Sequence, residues 1–423
     1  MILLFGTLLA LLLLGAPIFV ALGGAASVYI LANGIQPRIA VQQGFAAIDQ
    51  FQLLAVPFFV LAGNLMNASA ITDRIYAFCR CLCGHISGGL AHVNILGSVI
   101  FSGMSGTAVA DAGGLGTIEL KAMRDEGFDI RFAVGVTAAS ATLGPIIPPS
   151  LAMIVYGMQA NASVGRLFMA GIVPGLLMAL ALHVMVYVIA RRGDLPRSVR
   201  PSLAELGRRF ATAVPALMTP VIIIGGMMAG VFTPTEAAVV AALYALFLDV
   251  VLYRAITLDK LLRVLFETFE TTAVIMIMVA SSVIFGWVLV REKAAQGFTE
   301  LMLQVATTPV EMMLVLNVIL LVAGMFMDTI AIILIATPFF LPALTAMKID
   351  VVQFGVVMVL NLMIGLMTPP VGLLLFVLSR IAQLDFWTTT KACAPFMIPL
   401  FVVLVLISLV PGLTLWLPNL VYR

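Results

Sequence analysis

An all-α protein that crosses a membrane many times is the fold class this sequence predicts, and three observations predict it. Of its 423 residues, 62% are hydrophobic and only 10% are charged, against roughly a quarter charged in a soluble domain. So few charges could not cover a water-soluble surface of this size. Long apolar runs recur along the chain, for example at residues 176–190, 237–251, 319–341 and 397–410, with short polar or arginine-bearing segments between them. These runs lack the period-two alternation of a barrel strand, which leaves helices, able to satisfy their own backbone polar groups, to span the lipid. The expectation is about ten spanning helices of about 20 residues each.

Taken in order, the first 33 residues are apolar until Asn33 and carry no basic leading region, which reads as a retained membrane helix and not as a cleaved signal. As a single helix they would run about 50 Å, more than a bilayer core needs. Residues 211–254 pose the same problem, with Thr233-Pro234-Thr235 in the middle. Residues 36–50 alternate Arg38, Gln42, Gln43 and Asp49 with apolar residues, and 258–272 do the same with Lys260, Arg263, Glu267 and Glu270. Both stretches are too polar to span and are expected to lie flat at the membrane surface as arms. Cys79, Cys81 and Cys83 have a C-x-C-x-C spacing, but they diverge around a helix without partner ligands and read, with the lone Cys393, as packing residues and not as a metal site. Arg191, Arg192, Arg197, Arg200, Arg208 and Arg209 form the densest basic group. The positive-inside rule makes it a cytoplasmic loop, with a lipid-headgroup site as the alternative. A formal net charge of +2 gives no reason to expect nucleic acid.

The chain contains a duplicated half. Gly144-Pro-Ile-Ile-Pro148-Pro149 and Gly365-Leu-Met-Thr368-Pro369-Pro370 are its two Gly-to-Pro-Pro motifs, 221 positions apart. Nearly the same shift lays residues 36–50 on 258–272 and Ser105-Gly106-Thr107 on Met327-Asp328-Thr329. The halves are taken as 1–200 and 201–423, and an inverted relation is expected. Inversion demands an odd number of crossings per half, a parity that hydropathy alone does not fix. Repeated halves with interruptions in corresponding places are the sequence pointer to a transporter site near the bilayer midplane.

Each interruption has a physical reading. A Pro-Pro pair removes backbone donors and forces its predecessor out of helical geometry, so helices over about 131–158 and 353–378 must break. The freed carbonyls and amides are costly in hydrocarbon unless protein, water or an ion satisfies them. A simple proline kink is the bland alternative, weakened by the repetition. Residues 101–116 pack five glycines, two serines, a threonine and Asp111 into an apolar region, material for a re-entrant hairpin over about 96–120. The counterpart hairpin, over about 318–344, holds Asp328, an acid that hydropathy places in the membrane. An intramembrane carboxylate costs at least about 2.5 kcal/mol to insert and usually faces a cavity, ion or partner; capping a helix at the hairpin tip is the other reading for Asp328.

At these motifs the sequence resembles, essentially end to end, the large membrane subunit of the tripartite ATP-independent periplasmic (TRAP) transporters, of the ion transporter superfamily. The residues that carry the resemblance are Phe101-Ser-Gly-Met-Ser-Gly-Thr-Ala-Val-Ala-Asp111, Gly144-Pro-Ile-Ile-Pro-Pro-Ser150, Gly230-Val-Phe-Thr-Pro-Thr-Glu-Ala-Ala238, Gly324-Met-Phe-Met-Asp328 and Gly365-Leu-Met-Thr-Pro-Pro-Val-Gly372. The resemblance implies an elevator-type, multi-pass transporter of the bacterial cytoplasmic (inner) membrane, with sodium as coupling ion and no cofactor. It implies two partners besides lipid: a separate small four-helix membrane subunit and a periplasmic substrate-binding protein that delivers small organic anions such as carboxylates and sugar acids. It also implies a sodium and substrate region. In the first half this comprises Ser102, Gly103, Ser105, Gly106, Thr107, Gly144, Pro148, Pro149 and Ser150. In the second it comprises Met327, Asp328, Thr329, Asn361, Gly365, Thr368, Pro369, Pro370 and Val371. The residue chemistry agrees, since broken-helix carbonyls and Ser, Thr and Asn oxygens suit a hard cation and half-helix N-termini favour a carboxylate.

Rival functions are weaker. Gly103-Met-Ser105-Gly with a later His183 meets the minimal pattern of an intramembrane serine protease, but the duplication has no role there. No D-D-x-x-D supports pyrophosphate chemistry, and none of the five lysines follows a glycine as a phosphate-binding loop requires. No enzyme is expected. A sodium/carboxylate symporter of the same superfamily that works without a binding protein is the main alternative.

Overall fold

The computed structural model describes residues 1–68, 71–193 and 195–422, with the side chains of 103–105 excepted. All regular structure among the described residues is helical. Among the described residues, seven helices are long and apolar enough to cross a membrane, or eight if the bent pair Ala294–Val305 and Pro309–Gly324 counts as one. The expected ten are not reached because several apolar stretches are split into helices too short to cross alone.

Local chemistry places the splits. The first 33 residues break at Gly15, whose φ is +78°, and Pro17, giving Ile2–Leu13 and Ile18–Ala32. Residues 211–254 break after Gly230 (φ +70°), and Pro234–Phe247 restarts on a capping box. There the Thr233 amide donates to Glu236 Oε2 at 2.8 Å and the Glu236 amide donates to Thr233 Oγ1 at 3.3 Å. Proline in the first turn has no amide to leave unsatisfied, so it suits such a start. The same box, Thr308 with Glu311, opens Pro309–Gly324.

One expected arm differs. Arg38–Ile48 is a separate short helix, whereas residues 258–272 run without interruption into the apolar stretch that follows, as Leu258–Arg291. At 34 residues this helix is about 51 Å long. Between Leu258 and Phe285 it contains neither Gly nor Pro, so nothing ends it at the change of polarity. Ile18–Ala32, Arg38–Ile48 and Ala55–Ala68 pack on this long helix, and Pro234–Phe247 packs on Ala55–Ala68.

Both hairpin regions turn back on themselves. Gly89–Ser105 ends at Gly106, and the chain returns as Ala108–Gly113 and Leu115–Asp125. Pro309–Gly324 ends at Met325 and returns as Thr329–Ala346. Each is followed by a helix in two pieces: Ile130–Ala141 with Leu151–Gln159, and Val351–Leu366 with Leu373–Ala382. Pro148-Pro149 and Pro369-Pro370, in the two breaks, are both cis. The packing crosses between halves: Leu151–Gln159 lies on Thr329–Ala346, and Leu373–Ala382 lies on Ala108–Gly113.

Candidate functional site

Four interruptions meet around one cavity of about 430 Å³. Gly106 and Thr107 come from the first hairpin, Pro145 and Leu151 from the first break, Asp328 and Thr329 from the second hairpin, and Met363 and Leu373 from the second broken helix. Four helices start at these places, and three have side-chain caps among the sequence-predicted residues. Thr107 Oγ1 accepts from the Ala110 amide at 3.3 Å, Ser150 Oγ from Met153 at 3.2 Å, and Asp328 Oδ2 from Ile330 at 3.0 Å. The fourth, Leu373–Ala382, starts from Gly372 in the left-handed region. Such starts present partial positive charge, and the helices that end here, such as Gly89–Ser105 and Pro309–Gly324, present carbonyls.

Backbone contacts tie each hairpin tip to its break. Gly106 has φ +68°, and a Cβ there would lie 3.1 Å from the Pro149 carbonyl oxygen and 3.3 Å from the Leu151 nitrogen. Only glycine meets both demands cheaply. In the second half the Met325 carbonyl accepts from the Val371 and Gly372 amides at 3.2 and 3.3 Å. A Cβ on Gly365 would lie 2.7 Å from the Gly324 Cα, so these two helices touch backbone to backbone, as small residues allow in membranes. A Cβ on Gly144 would strike the buried Asp111 carboxylate, which sits against the first break.

The remaining predicted residues are placed as follows. Ser102 is buried and donates to the Val99 carbonyl at 2.8 Å, and Thr368 donates to the Ile364 carbonyl at 2.8 Å. Pro148, Pro149, Pro369 and Pro370 form the breaks, and Met327 stands partly buried beside Asp328. Gly103 and Ser105 fall where side chains lie outside the described residues. Asn361 is fully buried and does not itself line the cavity; its Nδ2 donates to the Asn317 carbonyl at 2.9 Å and to Asn317 Oδ1 at 2.7 Å. Two buried oxygens of these residues, Thr329 Oγ1 and Asn361 Oδ1, have no hydrogen-bond partner among the described residues. The capping alternative for Asp328 is realised in geometry, and the same carboxylate lines the cavity.

Sequence reasoning missed the polar seams behind the site. Asn94 Nδ2 donates to Thr137 Oγ1 at 2.7 Å, and Ser140 Oγ donates to Asn94 Oδ1 at 2.5 Å. Asn317 and Asn361 make the corresponding link in the second half. In both, an asparagine on the hairpin's first limb grips the intact part of the broken helix. An asparagine inside an apolar run was the available signal. His183, the base of the protease alternative, has its Nδ1 2.8 Å from His92 Nδ1, with the rings stacked.

Comparison with known proteins agrees with this architecture. The family profile described as "Tripartite ATP-independent periplasmic transporter, DctM component" matches residues 5–413. The chain is 46% identical over 413 residues to the sialic acid TRAP transporter large permease protein SiaM of Vibrio cholerae, covering 97% of each. It is 44% identical over 374 residues to the sialic acid TRAP transporter permease protein SiaT of Haemophilus influenzae, covering 88% of this chain and 61% of that protein. It is 38% identical over 398 residues to the C4-dicarboxylate TRAP transporter large permease protein DctM of Pseudomonas aeruginosa, covering 94% of this chain and 93% of that one. In fold it is similar to the crystal structure of the Alcanivorax borkumensis YdaH transporter, with a TM-score of 0.64 at 13% identity over 90% of this chain and 88% of that one. The chain thus belongs to the DctM family, the large permeases of the tripartite ATP-independent periplasmic transporters, and is a multi-pass inner-membrane protein and not an enzyme.

Proposed function

We propose that this permease conducts sodium-driven uptake of a small organic acid, sialic acid foremost, delivered by a periplasmic binding protein and assisted by a small membrane subunit. The observation that carries the reading is a cavity lined by both hairpins and both broken helices. Its volume of about 430 Å³ falls within the range of about 300–1,000 Å³ usual for small-molecule sites. Helix starts suit a substrate carboxylate, while helix-end carbonyls, Asp328, and the unpartnered oxygens of Thr329 and Asn361 suit sodium. Sialic acid ranks first because SiaM, at 46% identity, is similar over nearly the whole of both chains; a C4-dicarboxylate is the second reading, favoured by the 38% identity to DctM.

In the same proposal, residues around 96–158 and 318–378 travel as one block against a frame near 1–60 and 211–280, braced by the two polar arms. The test is uptake into proteoliposomes that hold this chain with its small subunit. Sialic acid should enter only with an inward sodium gradient and a loaded binding protein, and succinate with its own binding protein should not. Robust uptake driven by ATP with no ion gradient would overturn the coupling, and uptake from free substrate alone would overturn the delivery. Single cysteines joining hairpin to frame, on a background free of Cys79, Cys81, Cys83 and Cys393, should abolish transport reversibly. Undiminished rates in the crosslinked protein would refute the moving block.

A further inference from the structure

A groove outside the cavity described above lies between the starts of Ile130–Ala141 and Phe386–Leu409 and the far end of Val164–Arg192. Its volume is about 480 Å³, and Arg131, Lys391 and Thr388 line it together with Phe132, Ile189 and Phe396. The polar members and the deep apolar member are separated along the helices. Arg131 and Thr388 stand in the first turns, and Phe396 lies two turns further along its helix. There its ring meets Phe132 edge to face, with centroids 5.7 Å apart. The groove therefore joins cationic members, Arg131 and Lys391, to apolar ones, Phe132, Ile189 and Phe396.

Its two cations are left without a directly pairing carboxylate, although acids stand at both helix starts. The two nearest candidate acids are turned onto the backbone as helix caps: Asp129 Oδ1 accepts from the Arg131 amide and Asp385 Oδ2 from the Thr388 amide, each at 2.8 Å. Among the described residues neither Arg131 nor Lys391 forms an ion pair. The arginine-rich crevice beside residues 196–202 differs in this respect. There Arg80 pairs with Glu126, and Arg209 pairs with Glu205 at 3.5 Å. Trp387, 63% exposed next to the groove, is the residue type that anchors at the level of lipid headgroups.

We infer that this groove binds an anionic phospholipid, with the headgroup phosphate between Arg131 and Lys391 and an acyl chain laid along Phe132 and Phe396. Two cations free of ion pairs favour a phosphate-bearing ligand, and the apolar side favours one that carries a chain. A free phosphate would use the first feature and gain nothing from the second.

The test is native mass spectrometry of the full-length chain in detergent, titrated with phosphatidylglycerol, phosphatidylcholine or inorganic phosphate. The wild type should retain phosphatidylglycerol in preference to phosphatidylcholine. The double variant Arg131→Gln/Lys391→Gln should lose up to about thirtyfold of that preference, each interfacial charge being worth about fivefold. Ile189→Trp, which fills the groove and keeps both cations, should lower retention of either lipid in a protein that still elutes as a single species. Unchanged preference in the double variant would overturn the site. Displacement of the lipid by millimolar inorganic phosphate would overturn the lipid assignment, and protection of Lys391 from acylation by the small subunit in the absence of lipid would assign the groove to a protein partner.

Discussion

A methyl group added at Gly365 gives a direct measure of how tightly the second hairpin is held to its broken helix. The new Cβ would lie 2.7 Å from the Gly324 Cα and 2.8 Å from its carbonyl carbon. Carbon atoms in contact prefer about 3.5–4.0 Å, so Pro309–Gly324 and Val351–Leu366 must part by about 1 Å, and neither backbone atom can rotate away. Overpacking of this kind costs about 1–3 kcal/mol. The same movement carries Met325, whose carbonyl accepts from Val371 and Gly372 at 3.2 and 3.3 Å, and another 1 Å breaks both bonds. At about 0.5–1.5 kcal/mol for each net hydrogen bond, the expected loss for Gly365→Ala is about 2–6 kcal/mol in all. Thermal inactivation of the purified chain should fall to a clearly lower temperature, and uptake in proteoliposomes should drop because the cavity wall has shifted. Gly297→Ala is the control: it sits in a helix with nothing within 4 Å of its Cβ, so stability should hold or rise by about 0.5–1 kcal/mol. A Gly365→Ala protein as stable and as active as the wild type would refute the reasoning.

Three other substitutions separate holding the fold from holding the ligand. Asn317→Leu removes one of the two acceptors of the Asn361 amide, leaving the main-chain carbonyl, and the donor to Ser408 Oγ at 2.9 Å, so a loss of about 1–2 kcal/mol is expected, read as a lower midpoint in a thermal melt. Asp328→Asn keeps a good helix-capping side chain, so the melt should stay within about 1 kcal/mol of wild type while the sodium concentration for half-maximal uptake rises. An unfolded Asp328→Asn protein whose folded remainder keeps normal sodium dependence would mean the carboxylate serves the cap alone. Thr329→Val deletes a buried hydroxyl that has no partner, so the fold should tolerate or favour it. Uptake at limiting sodium should nevertheless fall, and unaltered uptake would remove Thr329 from the site.

Much of this arrangement could be read from residues that act locally. Pro148-Pro149 and Pro369-Pro370 end helices wherever they occur, and Ser150, Thr107 and Asp328 are residues that start them, so the breaks and the restarts were legible together. The excessive length of residues 1–33 and 211–254 was legible too, and Gly15-Ala16-Pro17 and Gly230 with Thr233-Pro234 resolve it by the same local rules. What could not be read depends on partners distant in sequence. Nothing near Asn94 or Asn317 announces that each faces the broken helix 43 or more positions later. Nor does hydropathy show Leu151–Gln159 lying on the hairpin of the opposite half. That the second polar stretch continues into the next helix was also hidden, because a change to polar composition does not by itself end a helix.

The crossed packing has a thermodynamic consequence for the proposed coupling. Leu151–Gln159, restarting at the first break, lies on the second hairpin's return limb, and Leu373–Ala382, restarting at the second break, lies on the first hairpin's. Neither half therefore completes the cavity alone, and in the proposed function a cation near Asp328 and Asn361 would alter the same walls that meet a substrate near Gly106 and Ser150. Two ligands that share walls in this way are linked by a single coupling free energy, which must be reciprocal. If saturating sodium tightens substrate binding by a given factor, saturating substrate must tighten sodium binding by that same factor, and Gly365→Ala, which displaces the shared wall, should shrink both factors together. Isothermal titration of the detergent-solubilised complex with each ligand, in the presence and absence of the other, measures all four constants. A coupling factor of one, with both ligands bound, would mean that the two ligands occupy independent sites and that the common cavity does not join them.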